Sequence, residues 1–176
     1  MPIRTPGSRG FTLIELLIVV AIVGILASIS MAIYIHARVQ GNEASAIATL
    51  GAVNQGQFAF AQACGNQRYA PTLAGLAVPL PATGSAFLSP DLAVDPLVKA
   101  GYQFAMAGTP LNLEYQSCTG DGLLEHYSVT ADPLRPGLSG VRFFGSNSDR
   151  VVFADTSSFS GNMPETGAPS HGAELK

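Results

Sequence analysis

From Leu16 to Ile35 the chain runs through twenty residues without a formal charge. A helix of about that length spans the roughly 30 Å hydrocarbon core of a bilayer, so this stretch belongs in a membrane. The run opens as Gly10-Phe11-Thr12-Leu13-Ile14-Glu15-Leu16-Leu17-Ile18 and continues through Val19, Val20, Ala21, Ile22, Val23, Gly24, Ile25, Leu26 and Ala27. Its single carboxylate, Glu15, is the feature to explain, because an ionised acid inside hydrocarbon is costly and a plain anchor has no use for one. One explanation keeps Glu15 wet at the polar interface. The other looks upstream: a cut between Gly10 and Phe11 would place a new amine on Phe11, one helical turn from Glu15. Amine and carboxylate attract strongly where the dielectric is low. Within one helix their geometry is poor, but between two staggered neighbouring helices the pair can be direct, which would make it an assembly device.

At these residues the sequence resembles the type IV pilin and pseudopilin family. The resemblance rests on Gly-Phe-Thr-Leu-Ile-Glu at 10–15, preceded by a short basic leader and followed by the apolar run, over about residues 8–35. It implies a leader of residues 1–10 removed by a prepilin peptidase after Gly10, N-methylation of the new Phe11 terminus, and polymerisation through the first helix. It also implies that Glu15 neutralises the Phe11 amine of a neighbouring subunit.

The leader carries Arg4, Arg9, Pro2, Pro6 and two glycines, which disfavours a stable helix and favours retention on the cytoplasmic side. An ordinary secretory signal is the rival reading. It wants a small-residue cleavage site after the run, for which Ala27-Ser28-Ile29-Ser30 is a poor candidate, and it leaves Glu15 unexplained.

At 176 residues there is room for one long helix and one modest domain. The transmembrane or filament-core part is expected over 11–37, with Arg38 as a boundary anchor, and an amphipathic continuation over 38–64. Arg38, Gln40, Asn42 and Glu43 mark the exit from the membrane, and Ile47, Leu50, Phe58 and Ala61 form a narrow apolar stripe interrupted by Asn54 and Gln57. A helix from Phe11 to Ala63 would be about 80 Å long, more than a domain of this size can bury along its length. Its first half must therefore be covered by lipid or by neighbouring subunits.

Cys64-Gly65-Asn66 ends the helix, and Pro71, Pro79, Pro81 and Pro90 break the next stretch into a loop with short turns at Thr72–Ala77 and Ser89–Leu92. Alternation then predicts strands at Tyr102–Ala107, Leu111–Tyr115 and His126–Ala131, with Gly108-Thr109-Pro110 as a turn. Val141–Phe144 and Arg150–Phe153 read as a last hairpin. The globular head would thus span 65–156, and residues 157–176, rich in Ser, Gly, Pro and Glu, read as a flexible tail. The expected fold is α+β: a long N-terminal helix, transmembrane in its first half, packed on a small antiparallel sheet, the pilin ladle.

In this topology Cys64 and Cys118 both lie on the exported side, and the oxidising compartment and even count favour a disulfide over two reduced buried thiols. It would be worth about 4 kcal/mol on the chain-entropy model. His36, His126 and His171 show no ligand spacing, so no metal or other cofactor is expected. Asp91, Asp95, Asp121, Asp149 and Asp155 match no calcium loop and read as a solvated acidic face. No phosphate loop, nucleophile elbow or metalloprotease helix occurs, so an enzyme is not expected. Beyond residue 40 there are six Lys and Arg against eleven Asp and Glu, which is no surface for nucleic acid.

Three functions fit these features. The first is a type IV pilus subunit, starting as a single-pass inner-membrane protein with a periplasmic head and ending in a cell-surface filament. Its partners would be copies of itself or other pilins, the prepilin peptidase, the inner-membrane assembly platform, and lipid before assembly. The second is a pseudopilin of a type II secretion system, in a periplasmic pseudopilus. The third is a membrane-tethered binding domain or enzyme.

Overall fold

The computed structural model describes residues 10–80, 84–112 and 115–175. Residues 1–9 of the expected 1–10 leader, Pro81 and the Leu113-Glu114 part of the expected strand lie outside the described residues. The chain is α+β, and its residues fall into two units, 1–37 and 38–176.

Helix α1 runs from Leu13 to Ala63. In its first 25 residues every described side chain is exposed, including Ile14, Leu17, Val20, Ile25 and Ile33. A helix apolar all round is one made for burial on all sides. Among the described residues it is the one helix long and apolar enough to cross a membrane.

In the second unit the same helix becomes one-sided. Ala46, Leu50, Val53, Phe60 and Cys64 are buried in one core with Tyr102, Phe104, Tyr127, Val129, Ala131 and Phe144 of the sheet. The expected stripe needs correcting at Phe58, which is 44% exposed and lies under the Arg150 guanidinium, 4.3 Å from the ring centre. Phe60 takes the buried place instead.

Asn54 and Gln57 do not interrupt this face but belong to it. The Gln57 amide donates to Ala70 O at 3.0 Å and accepts from Ala70 N at 2.9 Å. Asn54 donates to Ser146 Oγ at 2.7 Å and accepts from Tyr127 Oη at 2.9 Å. Each amide is thus satisfied at both ends, which is what permits its burial. Burial also holds the Tyr127 phenol well above its ordinary value.

Glycine is required where α1 ends. A Cβ on Gly65 would stand 2.9 Å from the Phe60 ring and collide with Arg68 O. A short helix α2, Leu73–Leu76, capped by the Thr72 hydroxyl, and a 3₁₀ turn at Pro90–Leu92 come next, where the two turns are expected.

The sheet is an antiparallel meander of six strands in chain order: β1 Leu97–Lys99, β2 Tyr102–Pro110, β3 Leu124–Pro133, β4 Phe143–Asn147, β5 Val152–Asp155 and β6 Ala173–Glu174. Tyr102 and Phe104 of β2, and Tyr127, Val129 and Ala131 of β3, point into the core with the expected period of two.

Two expectations fail here. Gly108-Thr109-Pro110 is not a turn but the end of β2, where Gly108 pairs with Tyr127 and Pro110 with Leu124 around an irregularity in register. Leu111, Asn112 and Tyr115 accordingly lie in no strand. The segment after β5 also holds more apolar surface than its composition suggests. Phe159 is fully buried, Met163 packs with it and with Phe153, and a Cβ on Gly145 would stand 2.7 Å from Met163 Sδ. This segment covers the sheet face opposite α1, which is why Ser128 and Thr130 of β3 are buried as well. It returns through β6, which pairs with β5, and His171 stacks on Phe159 while bonding Asp155.

Candidate assembly site

The sequence places its chemistry at residues 10–15. Gly10 and Phe11 precede the helix and are exposed, Phe11 by 74%. Thr12 is the residue before the first helical position, and Glu15 is the third residue inside.

These two side chains bond reciprocally. The Glu15 N–H donates to Thr12 Oγ1 at 3.3 Å, while Glu15 Oε2 accepts from Thr12 N at 3.2 Å and from Thr12 Oγ1 at 2.8 Å. This is a capping box, which satisfies backbone N–H groups that a helix start leaves without partners. It also puts a negative charge at the positive end of the helix dipole. The box explains how an acid is carried at the start of the helix's apolar first half. Thr12 is a functional residue that the sequence reading misses, although Thr followed three residues later by Glu ahead of an apolar run is the signature of such a box. Both hydrogen bonds that Thr12 donates run to one carboxylate oxygen, and a carboxylate accepts at two.

The prokaryotic N-terminal methylation motif matches residues 6–31. A 55-residue stretch is 46% identical to the type IV major pilin protein PilA of Myxococcus xanthus (strain DK1622), covering 31% of this chain and 25% of that protein. The match thus spans about a quarter of that pilin's length. No solved structure matches. The matched motif therefore holds Gly10, Phe11, Thr12 and Glu15 together.

Of the remaining expected residues, Cys64 and Cys118 form a disulfide, with their Cα atoms 4.9 Å apart. It is reinforced by Cys118 N donating to Cys64 O at 3.0 Å. Four of the five acidic residues considered for a calcium loop go to separate partners: Asp91 to Lys99, Asp121 to Thr119, Asp149 to Gly167 N and Asp155 to His171. Among the described residues, no group of three or more His, Cys, Asp or Glu is arranged to hold a metal.

One charged residue has a role that the sequence does not suggest. Glu43, read as a marker of membrane exit, is 6% exposed and receives Val141 N at 2.9 Å, Arg142 N at 3.2 Å and Arg142 Nε at 2.8 Å. Burial pushes its carboxyl up, but the bonds from Val141 and Arg142 outweigh that and leave it below the usual range.

Proposed function

We propose that this chain is a structural subunit of a type IV pilus-like filament. It is inserted in the inner membrane by residues 11–37, cleaved between Gly10 and Phe11, N-methylated on Phe11, and polymerised through α1. The observation that carries this reading is Glu15, placed by Thr12 in the first turn of a helix that bears no other charge before Arg38, within a methylation-type motif. A helix bare on all sides needs a cover outside its own chain, first lipid and then neighbouring helices, with the Phe11 amine of one subunit meeting the Glu15 carboxylate of another.

In this reading the protein works by assembling rather than by catalysis, and the prepilin peptidase and the assembly platform are its partners. The similarity to a major pilin of Myxococcus xanthus favours a pilus over a secretion pseudopilus. The test is the mass and N-terminal residue of the protein from sheared surface material and from membranes. A methylated Phe11 start in the sheared fraction supports the pilus. The same start confined to membranes favours the pseudopilin, and an intact Met1 end refutes processing.

A further inference from the structure

Beyond Arg38, eight large apolar side chains of the described residues stand exposed, and three of them, Leu134 (50%), Leu138 (58%) and Val141 (53%), fall within the connection between β3 and β4. Such a concentration on one loop is a mark of an interaction surface.

The loop is a built platform. Arg135 O accepts from Leu138 N at 3.0 Å and Ser139 N at 2.9 Å, and Ser139 Oγ accepts from Arg135 N at 3.0 Å. Gly140 lies against the Tyr102 hydroxyl so closely that a Cβ there would collide with it. The loop is pinned to the helix by Asn42 Nδ2 donating to Ser139 O at 2.8 Å and by Glu43 accepting from Val141 N and Arg142 N.

Those anchor points lie four and five residues beyond Arg38, about 6–8 Å along the helix axis. A headgroup layer is about 5–8 Å deep on each side of the hydrocarbon core. If residues 11–37 span the bilayer, the loop's anchor points fall where that layer ends. Its charge fits the same neighbour. Residues 133–142 contain Arg135 and Arg142 and no acid, in a region that beyond residue 40 has eleven acids against six bases. Of the acids beside it, Glu43 bonds Arg142, and Asp132 accepts from Ser158 through Oδ2 while its Oδ1 is buried without a partner.

We propose that the 134–142 loop is a second membrane contact, in which Leu134, Leu138 and Val141 enter the headgroup boundary of an anionic bilayer and Arg135 meets lipid phosphate. The contact sets the head against the membrane before assembly, and it rests on the membrane-spanning reading of residues 11–37. Apolar side chains backed by a basic residue are the composition that seats a surface at this depth.

The chain contains no Trp, so single-Trp variants of the full-length protein report directly. In vesicles of phosphatidylethanolamine and phosphatidylglycerol, Ile25→Trp tests the span, Leu138→Trp and Val141→Trp test the loop, and Tyr115→Trp is the control. Tyr115 is 57% exposed and lies three residues from Cys118, which is tied to the far end of α1. The expected result is quenching of Ile25→Trp by lipids brominated deep in the chain, and a blue shift and quenching of both loop variants by lipids brominated beside the headgroup. Tyr115→Trp stays unquenched, and adding Arg135→Gln lowers the docked fraction about fivefold.

If Ile25→Trp is quenched while the loop variants behave like Tyr115→Trp, the loop contact is overturned and the span stands. If Ile25→Trp is not quenched, the span fails and the loop contact with it. A blue shift that grows with protein-to-lipid ratio without lipid quenching assigns the patch to a second copy and overturns the proposal.

Discussion

The two halves of α1 share a backbone and little else. From Leu13 to Ala37 every described side chain is exposed, whereas from Arg38 onward Ala46, Leu50, Val53 and Phe60 are buried against the sheet. The second half finds within its own chain the apolar partners that stabilise it; the first half must find them elsewhere. The difference lies in the side chains. Gln57, Asn54 and Glu43 give the second half a face that recognises specific partners, while the first half, apart from Ser28, Ser30, Tyr34 and His36, offers aliphatic surface and one acid.

Substitutions that empty the head's core test this contrast with the largest effect. Phe60→Ala is expected to destabilise the head by about 3–5 kcal/mol, read by denaturant unfolding of the detergent-solubilised protein. A loss below about 1 kcal/mol, the size of an ordinary surface change, would contradict the core assignment. The Cys64–Cys118 bridge comes next. The double change Cys64→Ser, Cys118→Ser is expected to cost about 2–5 kcal/mol, mainly by releasing the unfolded chain, and an unchanged unfolding midpoint would show that the bridge contributes nothing.

These two results also bear on how much of the molecule is legible in its sequence. The Cys64 and Cys118 pairing can be read from compartment and number, and the inward faces of β2 and β3 from the alternation of Tyr102, Phe104, Tyr127 and Val129, because a pleated strand has a period of two. The burial of Asn54 and Gln57 cannot. Their partners are 92 residues away at Ser146 and 13 away at Ala70, and only the fold brings a donor and an acceptor to each amide. Phe159 escapes for a related reason: one aromatic among Ser and Gly has no period, yet Gly145 leaves the space it fills. Strands β1 and β6, of three and two residues, are too short to carry a pattern. Thr12 is the opposite case, a residue whose local capping signal is fully present in the sequence.

Glu43 sharpens the comparison by charge. Its carboxyl lies below the ordinary value of 4.5 in the folded head, so its stabilising contribution is complete above that value and is lost as pH falls through the folded value. Glu43→Gln is expected to lose about 1–3 kcal/mol at neutral pH. The thermal midpoint of the parent should fall more steeply below about pH 4.5 than that of the variant; parallel profiles would show that Glu43 does not link the head's stability to pH. The smallest effect belongs to the first half. Leu17→Ala is expected to change unfolding of the head by less than about 0.5 kcal/mol, as at a surface site, and a loss comparable to that of Phe60→Ala would show that residues 13–37 pack on their own chain.

In the proposed function assembly turns on Glu15, and the most direct measurement is filament yield from Glu15→Leu, scored beside leader cleavage and membrane recovery. Cleaved, membrane-inserted subunit at normal level, with sheared filament reduced roughly tenfold or more, is the predicted result, because the proposed charge-assisted contact would be lost at every subunit junction. Normal filament yield from that variant would contradict it and leave the acid with no role beyond capping the helix with Thr12.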